Sequence, residues 1–202
     1  MKKIILAVLL FNLSLAAIAQ DYEEEEEESV GGFKKEKLFT GGNVIASFFT
    51  GGTVLGVSPH FGYSLTSWLD AAVSLNFIYT GERDQFDTKY RQTSVGPGAF
   101  VRVFPLKSVF LQGQFEHNFQ SLNIIPPGAD SYKQKVDVSS LLVGAGIASG
   151  RTPGNNTYYY FSIMFDALKL ANSPYVDFNG RLIPVIRAGF NIALFQRRNS
   201  YR

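Results

Sequence analysis

The chain has 202 residues, which is enough for one domain of ordinary size. It contains no cysteine, which excludes disulfide bonds, thiolate metal sites, cysteine nucleophiles and lipoprotein acylation. Its 19 basic and 17 acidic residues nearly balance, and the basic residues are scattered along the chain, which argues against nucleic-acid binding.

The first 19 residues have the pattern of a cleaved secretory signal peptide. Lys2 and Lys3 give a positive start, Ile4–Leu10 is an apolar run, and Ala17-Ile18-Ala19 is an A-x-A cleavage pattern. An uncleaved membrane anchor is the alternative, but the apolar core is short for spanning a bilayer. The 19 basic residues include both lysines of this leader, so cleavage leaves 17 residues of each sign and no net charge.

Residues Gln20–Lys37 are predicted to form a disordered acidic tail in the periplasm. Glu23–Glu28 is an unbroken run of glutamates, and like charges with nothing apolar to bury do not fold. A run of this kind could instead bind Ca²⁺ or a basic periplasmic partner. A solvated tail is the simpler interpretation.

From Leu38 the sequence changes to segments in which apolar and small polar residues alternate. In Val54–Leu65 the odd positions are apolar, and the even positions are mostly small or polar. Side chains alternate between the two faces of a strand, so this pattern predicts one lipophilic and one polar face. Eight such strands are predicted: Phe39–Phe49, Thr53–Leu65, Trp68–Tyr79, Tyr90–Phe104, Ser108–Gln120, Lys135–Ala148, Thr157–Leu168 and Arg181–Phe195.

The length of these strands favours an antiparallel transmembrane barrel over a soluble sandwich. Most run ten residues or more, whereas strands of soluble domains average about 5–6 residues and a tilted membrane strand needs about 9–11. The alternation itself would suit either fold, because the two faces can be exchanged. The polar face, however, is rich in Gly, Ser and Ala, which suits a narrow barrel interior. We therefore predict an all-β, up-and-down barrel over residues 38–195, followed by a short tail at 196–202.

The connections between the strands support this prediction. Outer-membrane barrels have short periplasmic turns and longer outer loops. The short turns predicted here are Thr66-Ser67 and Pro105–Lys107, and the long polar loops are Gly81–Lys89, Ser121–Gln134 and Lys169–Gly180. With both termini in the periplasm, these turns and loops fall on the expected sides. The short Thr50–Gly52 and the longer Ser149–Asn156 fit that rule less well.

Together these features resemble the small outer-membrane β-barrel proteins of the OmpA/OmpX kind, and most of all a barrel group common in Bacteroidetes. Near the end of the last strand, a polar residue, a glycine and two spaced apolar residues resemble the barrel-assembly signal: Arg187, Gly189, Ile192 and Leu194. The resemblance covers about Phe39–Phe195, and seven residues follow Phe195. It implies a fold, an outer-membrane location and recognition by the barrel-assembly machinery, but no activity.

Charged residues are predicted on the inner face of this barrel. They are Asp70, Arg102, Glu116, Asp166 and Arg187, accompanied by His60, Gln112 and Gln114. An eight-stranded barrel is only wide enough for its own side chains, so we expect the two arginines to pair with these carboxylates as a structural network. A gated path for protons or ions is the alternative, since charges inside a membrane are often functional.

No catalytic, cofactor or metal site is predicted. His117 is expected on the lipid-facing side, but the His-x-Ser-Asn pattern of lipid-A deacylases is absent, and His60 lies in another strand on the other face. We therefore expect a non-enzymatic, monomeric structural or surface-interaction barrel that contacts outer-membrane lipid and lipopolysaccharide. The alternatives are a narrow channel for ions or small solutes and a lipid-modifying barrel. No extracellular partner can be identified from these residues.

Overall fold

The computed structural model describes residues 33–152, 155–177 and 179–195. The predicted signal peptide, most of the predicted acidic tail and residues 196–202 lie outside this range. A one-turn 3-10 helix, Lys35–Lys37, directly precedes the first strand. Across the described residues, no helix is long and apolar enough to cross a membrane.

Eight antiparallel strands form one closed barrel, which confirms the predicted fold class. The strands are β1 Leu38–Phe49, β2 Gly52–Ser64, β3 Leu69–Arg83, β4 Lys89–Leu106, β5 Val109–Ile125, β6 Tyr132–Ser149, β7 Tyr158–Asp166 and β8 Val185–Ala193. Each strand pairs with the next, and β8 returns to β1 with Phe39 opposite Ala193 and Ile45 opposite Arg187. Closure pairs the edge strands where all eight run side by side, so this belt has no open edge of unpaired amides, whereas Tyr132–Ser140 of β6 extend beyond the pairing with β7, which starts at Leu142 opposite Asp166.

The distribution of polar and apolar side chains is the reverse of that in a soluble protein. Apolar side chains are exposed on the outer surface of every strand, for example Val44, Phe61, Val73, Phe115 and Ile192. The inner surface buries polar and charged side chains. The predicted face assignment is therefore confirmed, and an apolar exterior of this kind is that of a barrel that lies in lipid.

Glycines allow neighbouring strands to approach closely at two points of the wall. A Cβ atom added at Gly96 would lie 2.0 Å from the carbonyl oxygen of His117, and one at Gly144 would lie 2.1 Å from that of Ile163. No side chain fits at such separations, so only glycine is compatible with this backbone geometry. These two glycines therefore allow the close approach of β4 to β5 and of β6 to β7.

The two ends of the barrel differ. We call the end with connections 84–88, 126–131 and 167–184 the loop end, and the end with connections 65–68, 107–108 and 150–157 the turn end. The barrel also begins, at Leu38, and finishes, at Ala193, at the turn end. The short β1–β2 connection is at the loop end.

Two of the predicted long loops are wrong in extent. Strand pairing continues from the membrane belt to Arg83 opposite Lys89 and to Ile124 opposite Tyr132, so the loops are only residues 84–88 and 126–131. In these extensions the outward positions are mostly polar or glycine, and apolar residues such as Leu122 and Ile124 are at inward positions, so the pattern of the membrane belt is lost and the segments resemble loops in the sequence. Conversely, β7 and β8 have nine residues each and are shorter than predicted, so the connection between them, 167–184, is longer.

Candidate functional site: the barrel lumen

All five charged residues predicted for the lumen lie inside the barrel and are at most 1% exposed: Asp70, Arg102, Glu116, Asp166 and Arg187. They come from five different strands, and each occupies an inward position of its strand's alternation. Charges removed from water in this way need partners. Their partners fall into two groups, one toward each end of the barrel.

Arg187 and Glu116 form an ion pair across the lumen. A guanidinium nitrogen of Arg187, Nη2, lies 3.0 Å from Oε1 of Glu116, and its Nη1 donates to Oε1 of Gln114 at 2.6 Å. The other carboxylate oxygen of Glu116 accepts a hydrogen bond of 2.7 Å from the hydroxyl of Tyr175. The pairing of Arg187 with a carboxylate is as expected, whereas Tyr175 was not anticipated.

Arg102 was expected to pair with a carboxylate, but its hydrogen-bond partners are neutral side chains. Its Nε and Nη2 donate to Oε1 of Gln112 at 3.0 and 2.8 Å, and its Nη1 donates to the hydroxyl of Tyr158 at 2.7 Å. Its guanidinium also lies over aromatic rings, with Tyr160 closest at 4.2 Å and Phe110 at 4.5 Å. Cation–π contacts of this kind are strongest when desolvated, as here.

Asp70 is linked to Arg102 through one hydroxyl group rather than directly. Tyr158 accepts from Arg102 and donates to Oδ2 of Asp70 at 3.1 Å. Oδ1 of Asp70 accepts from the hydroxyl of Ser64 at 2.7 Å and pairs with Nη2 of Arg151 at 3.3 Å. Arg151 belongs to the β6–β7 connection and was not predicted to enter the lumen.

The side chains of β5 join the two groups. Gln112 donates to Gln114 at 2.9 Å, and Gln114 donates to Glu116 at 2.8 Å, because residues two apart share the inner face. The hydrogen-bonded series thus runs from Arg102 to Arg187. Two of its links are carboxamides, which donate and accept hydrogen bonds but are poor carriers of a proton. This arrangement favours a structural network over the proton path.

Asp166 anchors the loop 167–184 and contacts neutral donors rather than an arginine. It accepts from the hydroxyl of Ser173 at 2.7 Å and from the backbone amides of Leu141 and Leu168 at 3.1 Å each. Ser173 also bonds to the hydroxyl of Ser140 on β6 at 3.1 Å. The loop is therefore attached to the barrel wall from inside.

Loop 167–184 also places apolar groups in the loop-end mouth of the barrel. Tyr175 and Ile183 are fully buried and pack with inward residues of six strands: Ile45, Val54, Ile78, Leu142, Met164 and Val185. Burial, followed by the neighbouring Glu116 carboxylate, raises the pKa of Tyr175 well above its usual range, so this hydroxyl stays protonated and donates. The loop fills this mouth rather than extending away from it.

The turn end is closed by aromatic rings and by Arg151, beyond the Arg102 guanidinium that lies over the same rings. Phe104, Phe110, Tyr158 and Tyr160 form a buried cluster with Ala148. The guanidinium of Arg151 lies 3.8 Å from the centroid of the Phe104 ring and donates to the carbonyl of Ser67 at 2.6 Å. Side chains therefore fill the lumen at both ends.

His60, the remaining residue predicted for the inner face, contacts other parts of the lumen wall. Its Nε2 lies 2.9 Å from Oδ1 of Asn191, and its ring makes edge contacts with Phe39 and Phe100. Considering only the described residues, no three His, Cys, Asp or Glu side chains are grouped so that they could hold a metal ion.

His117 has a partner that its own strand does not reveal. Its Nδ1 lies 3.1 Å from Oγ of Ser139, which is opposite it on β6, on the outer face. A serine beside a histidine is the minimum for nucleophilic catalysis, but an acyl-transfer site also needs amide donors for the oxyanion. Here the surrounding backbone amides belong to the β5–β6 ladder, so the pair is better explained as a polar contact between neighbouring strands.

Comparisons with known proteins give similarities of fold. No family model and no curated protein matches the sequence. Solved structures of low similarity include Ail of Yersinia pestis in complex with the heparin analogue sucrose octasulfate, at 12% identity and a TM-score of 0.48 over 78% of this chain and 99% of that chain. Neisserial surface protein A is 12% identical with a TM-score of 0.44, over 81% of this chain and 100% of that one. The N-terminal barrel of Pseudomonas aeruginosa OprF is 18% identical with a TM-score of 0.40, over 78% of this chain and 98% of that domain. The strand topology described above by itself confirms the predicted small-barrel fold.

Proposed function

We propose that this chain is an outer-membrane barrel with a sealed lumen and a structural or surface-interaction role, without enzymatic activity. The filled lumen is the observation that carries this proposal. Arginine, aromatic and carboxamide side chains occupy its middle, Arg151 and its aromatic neighbours close the turn end, and loop 167–184 closes the loop end. A barrel of eight strands has little interior space beyond that of its own side chains.

The outer membrane is the location that suits such a barrel. Its apolar exterior requires a bilayer, and antiparallel barrels are the strand-based solution for crossing one. The predicted signal peptide would export the chain, and Arg187, Gly189, Ile192 and Leu194 would present the assembly signal. Closure leaves no open strand edge in the belt where all eight strands pair, which suits a monomer.

We place the loop end outside the cell. Short turns then face the periplasm, as is usual for these barrels, and the extended β3–β4 and β5–β6 hairpins project outward. These hairpins and loop 167–184 are the parts that could meet a partner beyond the membrane. Interaction at that surface is the function that this geometry supports best.

Single-cysteine labelling tests location and orientation directly, because the natural chain has no cysteine. Asp130→Cys lies in an exposed connection at the loop end, and Lys107→Cys is its match at the turn end. On intact cells, a membrane-impermeant maleimide should label Asp130→Cys and not Lys107→Cys. Both should react after the membranes are solubilised. Labelling of Lys107→Cys alone would reverse the orientation, and recovery of the protein in a soluble fraction without detergent would end the membrane proposal.

A narrow channel is the second candidate, and one feature of the lumen favours it. Toward the loop end, several buried polar atoms of β3, β4 and β5 have no hydrogen-bond partner among the described residues. They are Nδ2 of Asn76, Oγ1 of Thr80, Oγ of Ser94, Oδ1 of Asn118 and Nε2 of Gln120. Buried polar groups of this kind usually bind water. A hydrated region beneath loop 167–184 would become a path only if that loop and the turn-end aromatic cluster both moved.

A further inference from the structure

The apolar band of the barrel is low over its two shortest strands. On β3 the outward apolar residues run from Leu69 to Tyr79, and ten residue steps of about 3.3 Å at a tilt of about 40° span roughly 25 Å, the usual height of the band. On β7 they run from Tyr159 to Phe165, and six such steps span only roughly 15 Å. β8 has the same number of residues as β7. If the strands alone formed the band, it would be about 10 Å short on this side of the barrel.

The missing part of the band lies at the loop end. At the turn end, Tyr159 is opposite Ser149, the last residue of β6, so β7 reaches the end of its neighbour. At the loop end, by contrast, Tyr132–Ser140 of β6 extend past Asp166, the last residue of β7. Loop 167–184 joins β7 to β8 here, so its first and last residues occupy the missing height.

The end of loop 167–184 continues the outward row of β8. The alternation persists beyond the strand, because Ile183 is buried whereas Leu182 is 40% exposed. The backbone still follows β1 at this point, since the carbonyl of Pro184 accepts a hydrogen bond of 2.6 Å from the hydroxyl of Ser47. Leu182 therefore lies on the lipid-facing side, four residues beyond Ile186 and roughly 10 Å higher.

The start of the loop has the same apolar character. Ala167 is exposed, and its amide donates a hydrogen bond of 2.7 Å to the carbonyl of Leu141, so the chain still follows β6. Leu168 and Leu170 come next and are 42% and 43% exposed. In the described structure, connections 84–88 and 126–131 together expose one large apolar side chain, Phe86. Loop 167–184 thus has exposed leucines where it leaves the wall and where it rejoins it.

The charged neighbours of these leucines suit the boundary of an apolar layer. Lys169 lies between Leu168 and Leu170, and Arg181 directly precedes Leu182. Long basic side chains can keep their charge in water while their methylene groups lie along an apolar surface. The segments 167–172 and 179–184 contain no acidic residue. The charges therefore do not prevent the leucines from entering lipid.

We propose that Leu168, Leu170 and Leu182 insert among the acyl chains of the leaflet at the loop end, so that the two ends of loop 167–184 belong to the lipid-facing surface. Lipid is the occupant because these side chains continue the apolar band of β7 and β8. Without them the bilayer would have to thin by about 10 Å on this side, which is unfavourable. The inference rests on the membrane location given under Proposed function, but not on which end of the barrel faces outward.

Loop 167–184 is then anchored on two sides. Ser173, Tyr175 and Ile183 attach it to the lumen, and the three leucines attach it to lipid. The leucine side chains are not part of the buried lumen cluster, but Ile183 directly follows Leu182 in the chain. Loss of the lipid contacts should therefore loosen the lumen contacts, so the bilayer helps to keep this mouth closed.

Quenching of tryptophan fluorescence in lipid vesicles measures the insertion. Trp68 is the single tryptophan of the chain, so Trp68→Phe provides a background without it. In this background the full-length protein carries Leu170→Trp or Leu182→Trp, and the probes are phosphatidylcholines brominated at successive positions of the acyl chain. Val73→Trp, near the middle of the band on β3, is the control for lipid, and Asp130→Trp, in an exposed connection, is the control for water.

Leu170→Trp and Leu182→Trp should be quenched most by lipids brominated near the headgroup, Val73→Trp by lipids brominated deep in the chain, and Asp130→Trp by neither. Loop tryptophans that emit as in water while Val73→Trp is quenched would overturn the inference and leave the membrane location intact. Unquenched emission at short wavelength would overturn it too, because protein rather than lipid would then cover the leucines. An unquenched Val73→Trp would end the membrane proposal itself. Heat-modifiable migration on gels checks the folding of each variant.

Amide hydrogen exchange in vesicles tests the link between lipid and lumen. The amide of Ile183 donates to the carbonyl of Tyr175 at 2.9 Å and reports on closure of the loop. It should exchange at least tenfold faster when all three leucines are replaced, while the amides of β3 are unaffected. Lys169→Gln/Arg181→Gln, which keeps the apolar surface, is the matched control and should leave the rate unchanged. Equal exchange in the wild-type protein and the triple variant would contradict the anchoring role of lipid. The triple variant is Leu168→Ser/Leu170→Ser/Leu182→Ser.

Discussion

The two arginines buried in the lumen, Arg187 and Arg102, are stabilised in different ways in the two halves of the barrel. In the loop-end half, Arg187 has a direct carboxylate partner, Glu116, at 3.0 Å. In the turn-end half, Arg102 has a carboxamide, a hydroxyl and aromatic faces, and the hydroxyl of Tyr158 separates it from Asp70. Asp70 in turn is paired with Arg151.

This difference indicates where the barrel is most sensitive to a single change. A direct ion pair concentrates the neutralising charge in one residue, so its loss strands the other charge in a dry site. The Arg102 cluster distributes its contacts over several neutral groups, so the loss of any one of them leaves the rest in place. We expect the loop-end pair to be the more costly one to break.

The largest effect is expected for Glu116→Gln. The change keeps the size of the side chain but leaves Arg187 buried without its counter-ion, which should lower the free energy of unfolding by about 3–5 kcal/mol. Urea unfolding of the barrel in lipid vesicles measures this loss. Glu36→Gln, at an exposed position before β1, is the control and should change little. If Glu116→Gln were as stable as the wild-type protein, the ion pair would not be the contact that stabilises the loop-end half.

An arginine on the lipid side provides the next comparison, since it would have no partner at all. Val73→Arg places the charge on the exposed apolar face near the middle of β3 and should cost about 2–4 kcal/mol. Ala72→Ser, one residue earlier and on the inner face, should be nearly neutral. If Ala72→Ser prevented assembly while Val73→Arg did not, the inner and outer faces would have been assigned the wrong way round.

A smaller effect is expected for Tyr158→Phe in the turn-end half. It removes the hydroxyl that accepts from Arg102 and donates to Asp70 but keeps the ring, so a loss of about 1–3 kcal/mol is expected. Tyr159→Phe, whose side chain points out toward lipid, is the matched control. The same unfolding measurement applies. A loss larger than that of Glu116→Gln would reverse the comparison between the two halves.

The faces of the strands could be predicted from the sequence, because the period of two in Val54–Leu65 and its counterparts records which side of each strand meets lipid. The ends of the strands could not. At Gly81–Lys89 and Ser121–Gln134 the outward positions become mostly polar, so the apolar outward face of a membrane strand disappears although the hydrogen-bonded ladder continues. Local composition therefore marks where the lipid ends, rather than where the strand ends.

The lumen residues were predictable one by one, but their pairing was not. Which side chains meet across the barrel depends on the register of strands far apart in the sequence, as for Glu116 and Arg187. Tyr175 and Arg151 were missed because they come from connections that fold inward, and alternation gives no information about connections. The same limit applies to His117, whose partner Ser139 is supplied by the neighbouring strand.

Single-channel recording in planar bilayers tests the sealed lumen most directly. Purified protein, shown to be folded by its heat-modifiable migration, should insert and give no reproducible currents, because Arg151 with its aromatic neighbours and loop 167–184 close the two ends. Reproducible single-channel currents from the wild-type protein, with an ion selectivity that changes in Glu116→Gln, would contradict the sealed lumen and establish the channel.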